Sequence, residues 1–373
     1  MMISVPQPTY GLNTYINDLK KEKQLWDLFT KEEEYHPKKM DKYQRVSYTA
    51  SGQKNVLIPS VSKYLVHHGF HPEYTDGKKF AVFLSHDIDD IAISPRQVFR
   101  SMIPYPLHRD HLGSIRFLTS YTKKEKPYVN FRKIVELEKK YDASSSFFFL
   151  AIPEDVFGKK YQLDEVTNEL PAILTHDCEI GLHTGFYSFD DFRRIKEEKE
   201  KLEKASGIKV AGVRNHLYRF KLPQTWNLLS QAGFTYDSSF GYYDTIGFRN
   251  GICHPFKPYD LTNGRTIDLI EIPPCVVDVT LFSYMKCDAK EAWNYIRNLI
   301  DVVEALGGVM TIIWHNWTFS YPVSYAGLFG KEWTKLYEKI LKYGYEKHAW
   351  LTTGKNIADF VQKHYEKMSD TSF

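Results

Sequence analysis

The segment AVFLSHDIDD (81–90) runs from apolar residues directly into His86, Asp87, Asp89 and Asp90. Three further apolar runs end in the same way. CEIGLHT (178–184) closes on His183-Thr184, VAGVRNH (210–216) on Arg214-Asn215-His216, and GVMTIIWHN (308–316) on His315-Asn316. A lone histidine is usually a hydrogen-bonded structural residue, but these four ends carry a mutually suited set. Carboxylates and imidazoles together can hold a divalent metal, and zinc with three protein ligands and an open position activates water. A second carboxylate can then act as general base and a separate histidine as general acid. An arginine nearby keeps the base ionised. The chemistry described is metal-assisted hydrolysis.

The runs that carry these residues read as strands: 79–86, 144–152, 178–184, 210–216, 266–274 and 308–316. Several are apolar throughout, as parallel strands buried on both faces are. Helical patterns lie between them, over 128–141, 188–207, 223–233, 289–308 and 331–344. Ser188 is the expected N-cap of the second, and Gly207 and Gly307 stand where helix C-caps belong. Strands alternating with helices imply a parallel sheet whose C-terminal strand ends form the active face. About seven such units can close into a barrel. Residues 1–76 are richer in Lys, Tyr and Glu and read as a helical extension packed on a barrel of residues 77–373.

Composition narrows the function classes. The 373 residues include 49 Lys and Arg against 46 Asp and Glu, a net charge of +3 with the signs interleaved, which argues against nucleic-acid binding. The four cysteines are far apart and form no CxxC pair, which suits reduced thiols in a cytoplasmic protein. The first residues show no export signal, and no apolar run approaches a membrane span.

The ordered set SHDID (85–89), EIGLHT (179–184), GVRNH (212–216), EIPP (271–274) and IIWHN (312–316) resembles the polysaccharide deacetylase superfamily, the NodB-homology or carbohydrate esterase family 4 proteins. It looks closest to a bacterial branch whose first motif reads HDxD. The resemblance spans roughly residues 78–360 and implies a distorted (β/α)7 barrel that binds a divalent metal and removes an N-acetyl group from a sugar. It makes Asp87 the base, Asp89 and His183 metal ligands, Arg214 the partner of the base and His315 the acid. The family's second motif has two histidines four residues apart, and here the second position is Tyr187. A phenol is a weak zinc ligand near neutral pH. The third ligand is therefore expected from His216, with His86 and Tyr187 as alternatives.

The Gly- and aromatic-rich stretch 236–256 reads as a loop over the barrel mouth, with Tyr242, Phe248 and Arg249 as substrate contacts; Trp314 and Trp317 flank His315 in the same capacity. HHGFH (67–71) is read as a surface or packing segment. The function implied is deacetylation of an N-acetylated sugar or glycan precursor in cell-surface polysaccharide biosynthesis. Two alternatives stand beside it: a catalytically inactive glycan-binding or assembly protein, and a hydrolase of another amide or ester.

Overall fold

Five of the six expected apolar runs form strands of four to eight residues, and their alternate residues supply the inner face of a curled sheet. The computed structural model describes residues 18–95, 97–98, 111–152, 154–156, 158–320 and 331–369. The first 17 residues of the expected extension, and residues 321–330 and 370–373 of the expected barrel, lie outside them. Nine parallel strands form the main sheet: β1 (Ala81–Ile88), β2 (Ser146–Leu150), β3 (Glu179–Thr184), β4 (Gly212–Asn215), β5 (Tyr236–Asp237), β6 (Ile270–Glu271), β7 (Val276–Val277), β8 (Val309–Ile313) and β9 (Trp350–Thr352). Their order is β6-β5-β4-β3-β2-β1-β8-β7. β1 is flanked on one side by β8; on the other, β9 pairs with Ala81–Phe83 and β2 with Ser85–Ile88. Among the described residues no ladder joins β6 to β7, so the sheet is a barrel left open at one seam. The expectation of about seven strands missed β5, β7 and β9, which are too short to show a period.

Ten α-helices are described: α1 (Lys23–Thr30), α2 (Ser60–His67), α3 (His111–Thr122), α4 (Phe131–Lys139), α5 (Leu170–Leu174), α6 (Phe192–Ser206), α7 (Gln224–Gln231), α8 (Ala289–Leu306), α9 (Lys331–Glu346) and α10 (Gly354–Ser369). Gly207 and Gly307 end α6 and α8 in the left-handed conformation, at φ 73° and 63°. The N-cap of α6 is Asp191, whose carboxylate accepts the Arg194 N–H, and not Ser188. Ser188 donates instead to the buried Glu198 at 2.5 Å. No helix among the described residues is long and apolar enough to cross a membrane.

Inside the curl, Phe83, Phe148 and Tyr236 form an aromatic floor, with Phe83 6.5 Å from Phe148 and 6.0 Å from Tyr236 between ring centres. Gly212 makes room for it, since a Cβ there would stand 2.2 Å from the Tyr236 ring. The floor fills the lower barrel, where the Tyr236 hydroxyl donates to the buried Glu179 at 2.8 Å.

Residues 18–76 share this core. Leu19, Phe29, Val61, Leu65 and Phe70 belong to the same buried cluster as Phe147, Leu182 and Val213. Backbone bonds run from Val61 N–H to Gly251 O (2.8 Å) and from Phe248 N–H to Val56 O (2.8 Å). Ser62 Oγ accepts the Cys253 N–H at 2.8 Å and lies 2.9 Å from His254 Nδ1, while His254 Nε2 donates to Leu306 O at 3.1 Å. Burial pushes the His254 imidazole down to about 4.

The unfolded state therefore takes up a proton near pH 6.5 that the folded state refuses until about pH 4, so stability is full above pH 6.5 and is lost as pH falls toward 4. Chemical denaturation from pH 7 to 4 should show the native chain losing up to about 3 kcal/mol more than a His254→Gln variant; equal slopes would contradict this.

Candidate metal and catalytic site

Strand geometry sorts the HDIDD cluster into two faces. Side chains alternate along β1, so Ser85, Asp87 and Asp89 turn to the inside of the barrel and His86 turns out. His86 is completely buried there, with Nδ1 2.6 Å from Trp314 O and Nε2 2.9 Å from Glu138 Oε1. Glu138 also accepts from Ser145 Oγ (2.7 Å) and Tyr337 OH (2.5 Å). His86 is thus a link between β1 and the outer helices α4 and α9, and as a metal ligand it is excluded by direction. Asp90 faces Lys160 (3.4 Å) and Gln97 (3.3 Å).

On the inner face, Arg214 is fully buried and holds Asp87. Its Nη1 donates to Asp87 Oδ1 (2.7 Å) and Ser85 Oγ (2.9 Å), its Nε to Ser238 O (2.9 Å) and its Nη2 to Ser238 Oγ (2.9 Å). The guanidinium lies 4.2 Å above the Phe148 ring, on the aromatic floor. Burial opposes ionisation of Asp87, but Arg214, then His183 and His315, outweigh it and hold the carboxyl below its usual range.

β3 and β4 pair with His183 opposite Arg214. His183 Nδ1 lies 3.0 Å from Arg214 O, so that nitrogen carries the proton and Nε2 presents a lone pair. Nε2 stands 3.2 Å from Asp89 Oδ1, which is buried without a hydrogen bond of good geometry. His216 Nε2 is 3.8 Å from the same oxygen. A neutral imidazole lone pair facing a carboxylate is repulsive unless a cation lies between them. Asp89, His183 and His216 each offer one ligating atom, all within 4.8 Å of one another, so the residues fit a divalent cation. Burial works against the Asp89 charge, but the imidazoles of His216, His183 and His315, where they carry a proton, hold its carboxyl well below the ordinary value.

His315 completes the ring of groups. Its Nδ1 is 2.7 Å from Asp278 Oδ1, its own N–H donates to Asp278 Oδ2 (2.8 Å), and its Nε2 points inward, 3.5 Å from Asp89 Oδ2. Burial lowers its pKa, but Asp278 and the two site carboxylates raise it to about 9. Trp317 stacks on the imidazole at 5.0 Å. Asp278 was missed from sequence although it carries the same signal, an acid directly after the apolar run CVV.

Other expected residues lie elsewhere. Tyr187 is 53% exposed beside Phe186 and Arg194 and is not part of the candidate cluster, in which His216 offers the third ligand atom. Trp314 is buried between Trp333 and Tyr337 on the outer face of β8, since residues 314 and 315 point oppositely. Phe248 is buried in the cluster with Ile246 and Cys253. Arg249 pairs with Glu34 and stacks on Phe240 at 4.2 Å, and Tyr242 packs on Tyr48 at 5.7 Å. Arg249 and Tyr242 thus face the residue 18–76 segment, and Phe248 is held in the core. His67, His68 and His71 are exposed.

No family model and no curated protein matches the sequence. Solved structures do. A Mycobacterium smegmatis protein assigned as a polysaccharide deacetylase superposes with TM-score 0.55 at 17% identity, over 79% of this chain and 94% of its own. The chain has the polysaccharide deacetylase fold. A Pseudomonas aeruginosa PAO1 protein assigned to the same class gives TM-score 0.54 at 15% identity, over 80% and 94%. The allantoinase PuuE gives 0.54 at 17% identity, over 80% and 93%. The deacetylase fold thus accounts for the architecture, and any chemistry is argued from the side chains.

Equilibrium dialysis against zinc with elemental analysis checks the ligand set. His216→Ala should weaken binding by roughly 10- to 100-fold or more, whereas Tyr187→Phe and His86→Asn should retain the native stoichiometry when folded.

Proposed function

We propose that this protein is a metal-dependent deacetylase of an N-acetylated sugar or glycan precursor used in building cell-surface polysaccharide. One observation carries the reading: a three-ligand cation site of Asp89, His183 and His216 is flanked by an arginine-held carboxylate and a carboxylate-held imidazole. A divalent cation there, zinc in our reading, would polarise the acyl oxygen and make a water more acidic. Asp87, kept ionised by Arg214, takes the proton of the attacking water. His315, oriented by Asp278, presents Nε2 to the leaving nitrogen and delivers the proton that lets the amine depart. Trp317 excludes water from one side of that imidazole.

The non-catalytic alternative rested on Tyr187; in our reading His216 supplies the third ligand instead, and zinc binding with acetate release separates the two. The four cysteines, all buried and unpaired, support a reducing compartment, and we assign the protein to the cytoplasm acting on a nucleotide- or lipid-linked intermediate.

The zinc-loaded protein should release acetate from N-acetylated sugar nucleotides or oligosaccharides. Asp87→Asn should lower kcat by roughly 10²- to 10⁴-fold with zinc still bound. O-acetyl sugars and allantoin serve as competing substrates; turnover confined to either would overturn the N-acetyl assignment. Removing Asp278 takes away the partner that raises the His315 pKa, so Asp278→Asn should move the alkaline limb of the pH–rate profile to lower pH. An unmoved limb would remove His315 from the role of acid.

A further inference from the structure

After Asp278 the chain enters a π-helical turn, Thr280–Tyr284, in which Met285 N–H reaches back five residues to Thr280 O at 2.9 Å. Such turns are rare and are frequent at functional sites. This one ends on Tyr284, which is 44% exposed yet held in place. Its ring meets Tyr243 edge to face at 5.3 Å between centres, and its hydroxyl accepts from Arg45 Nη2 at 3.4 Å. Arg45 belongs to the residue 18–76 segment and is buried. Its guanidinium lies 3.6 Å above the Tyr243 ring and donates to Asp41 Oδ2 (2.9 and 2.7 Å) and to Leu217 O (3.2 Å). Asp41 Oδ1 in turn accepts the N–H groups of Tyr43 and Arg45, both at 2.9 Å, which closes the 41–45 loop on itself. An exposed ring fixed from behind by a buried guanidinium is preorganised, so its ordering cost falls on folding and not on binding.

The position of this ring relative to the catalytic groups limits what it can meet. Val277 and Ile313 stand opposite each other on β7 and β8, one residue before Asp278 and two before His315. Tyr243 packs on their cluster half-buried, and Tyr284 lies beyond Tyr243, one ring further out. Aromatic surface continues along the rim toward β3, where Tyr43 lies 5.8 Å from Phe186 and Phe186 4.9 Å from the exposed Tyr187. A flat apolar face that suits a tyrosine belongs either to a pyranose or to a nucleobase. The arginines here favour the pyranose. Arg45 is committed as above, and Arg219 donates to Tyr43 O (2.9 Å), Phe186 O (2.5 Å) and Gln44 Oε1 (2.7 Å), which leaves neither for the diphosphate of a sugar nucleotide.

We propose that Tyr284 is the stacking platform for a second sugar ring, the neighbour of the one that carries the acyl group, so that the substrate is a glycan of at least two units. This rests on the deacetylase reading above and narrows its substrate. The reacting sugar presents its acyl group to the cation site, while the next sugar along the chain lays its apolar face on Tyr284 at the rim. Arg45 is a positioning residue, since it holds the platform without touching the glycan. Residues 41–45 thereby set substrate length from a part of the chain that supplies no catalytic group.

Acetate release by the zinc-loaded full chain should be compared on N-acetylglucosamine, its uridine diphosphate derivative and its linear trisaccharide. The native protein should show its lowest KM for the trisaccharide. Tyr284→Ala should raise that KM by roughly 10-fold, leaving kcat and both constants for the monosaccharide unchanged. Tyr284→Phe keeps the ring and should retain native values. Tyr345→Ala, which removes another exposed tyrosine from the end of α9 that leads into β9, should change nothing. A Tyr284→Ala effect that is equal for monosaccharide and trisaccharide, or absent for both, overturns this proposal and leaves the deacetylase reading standing. So does a native preference for the sugar nucleotide. A native protein that releases acetate from none of the N-acetylated sugars overturns the deacetylase reading and this proposal together.

Discussion

Two carboxylates stand two residues apart on one strand and face the same interior, and the molecule is organised around compensating them. Asp87 is removed from water and Asp89 keeps only 20% of its side chain exposed, and an uncompensated buried carboxylate would neutralise or unfold its surroundings. Asp87 is answered by a guanidinium that is itself fully buried and spends its remaining donors on Ser85 and Ser238. Neither charge is tolerable without the other, so the pair ties β1 to β4 across the inside of the barrel. Asp89 is answered only by imidazoles, whose positive charge is conditional. That asymmetry separates a permanently fixed base from a carboxylate left open to a cation.

Much of this was legible because a parallel barrel writes its active face into strand ends. The apolar runs locate β1 to β4 and β8, and their polar termini carry Asp87, Asp89, His183, Arg214 and His315, which the fold brings together. The period of two also sorts the candidates: residues 87 and 89 share a face that 86 cannot share, and 214 and 216 share the face of their neighbour 183, which favours His216 over His86. The substrate contacts failed for another reason. Aromatic and glycine-rich composition in 236–256 signals irregular backbone, not its direction, and Phe248 and Arg249 are drawn into contacts with residues more than 190 positions earlier.

The amino-terminal segment looks dispensable in a list of motifs and is not so in space. Its apolar side chains complete the barrel's buried cluster, and its Glu34 neutralises Arg249 where that guanidinium has left water. A barrel lacking it would expose both an apolar face and an unpaired charge. The core is therefore shared between residues 18–76 and the barrel.

The open seam has a consequence for the life of the molecule in concentrated solution. An unclosed sheet offers two rows of unpaired amides and carbonyls, and a long, flat edge of that kind recruits other chains into fibrils. Here the border strands β6 and β7 are only two residues each, and β6 is further occupied by an isolated bridge to Phe256. So little edge is left that no foreign strand can pair over more than a step or two. The barrel can stay unsealed without becoming sticky to its own kind.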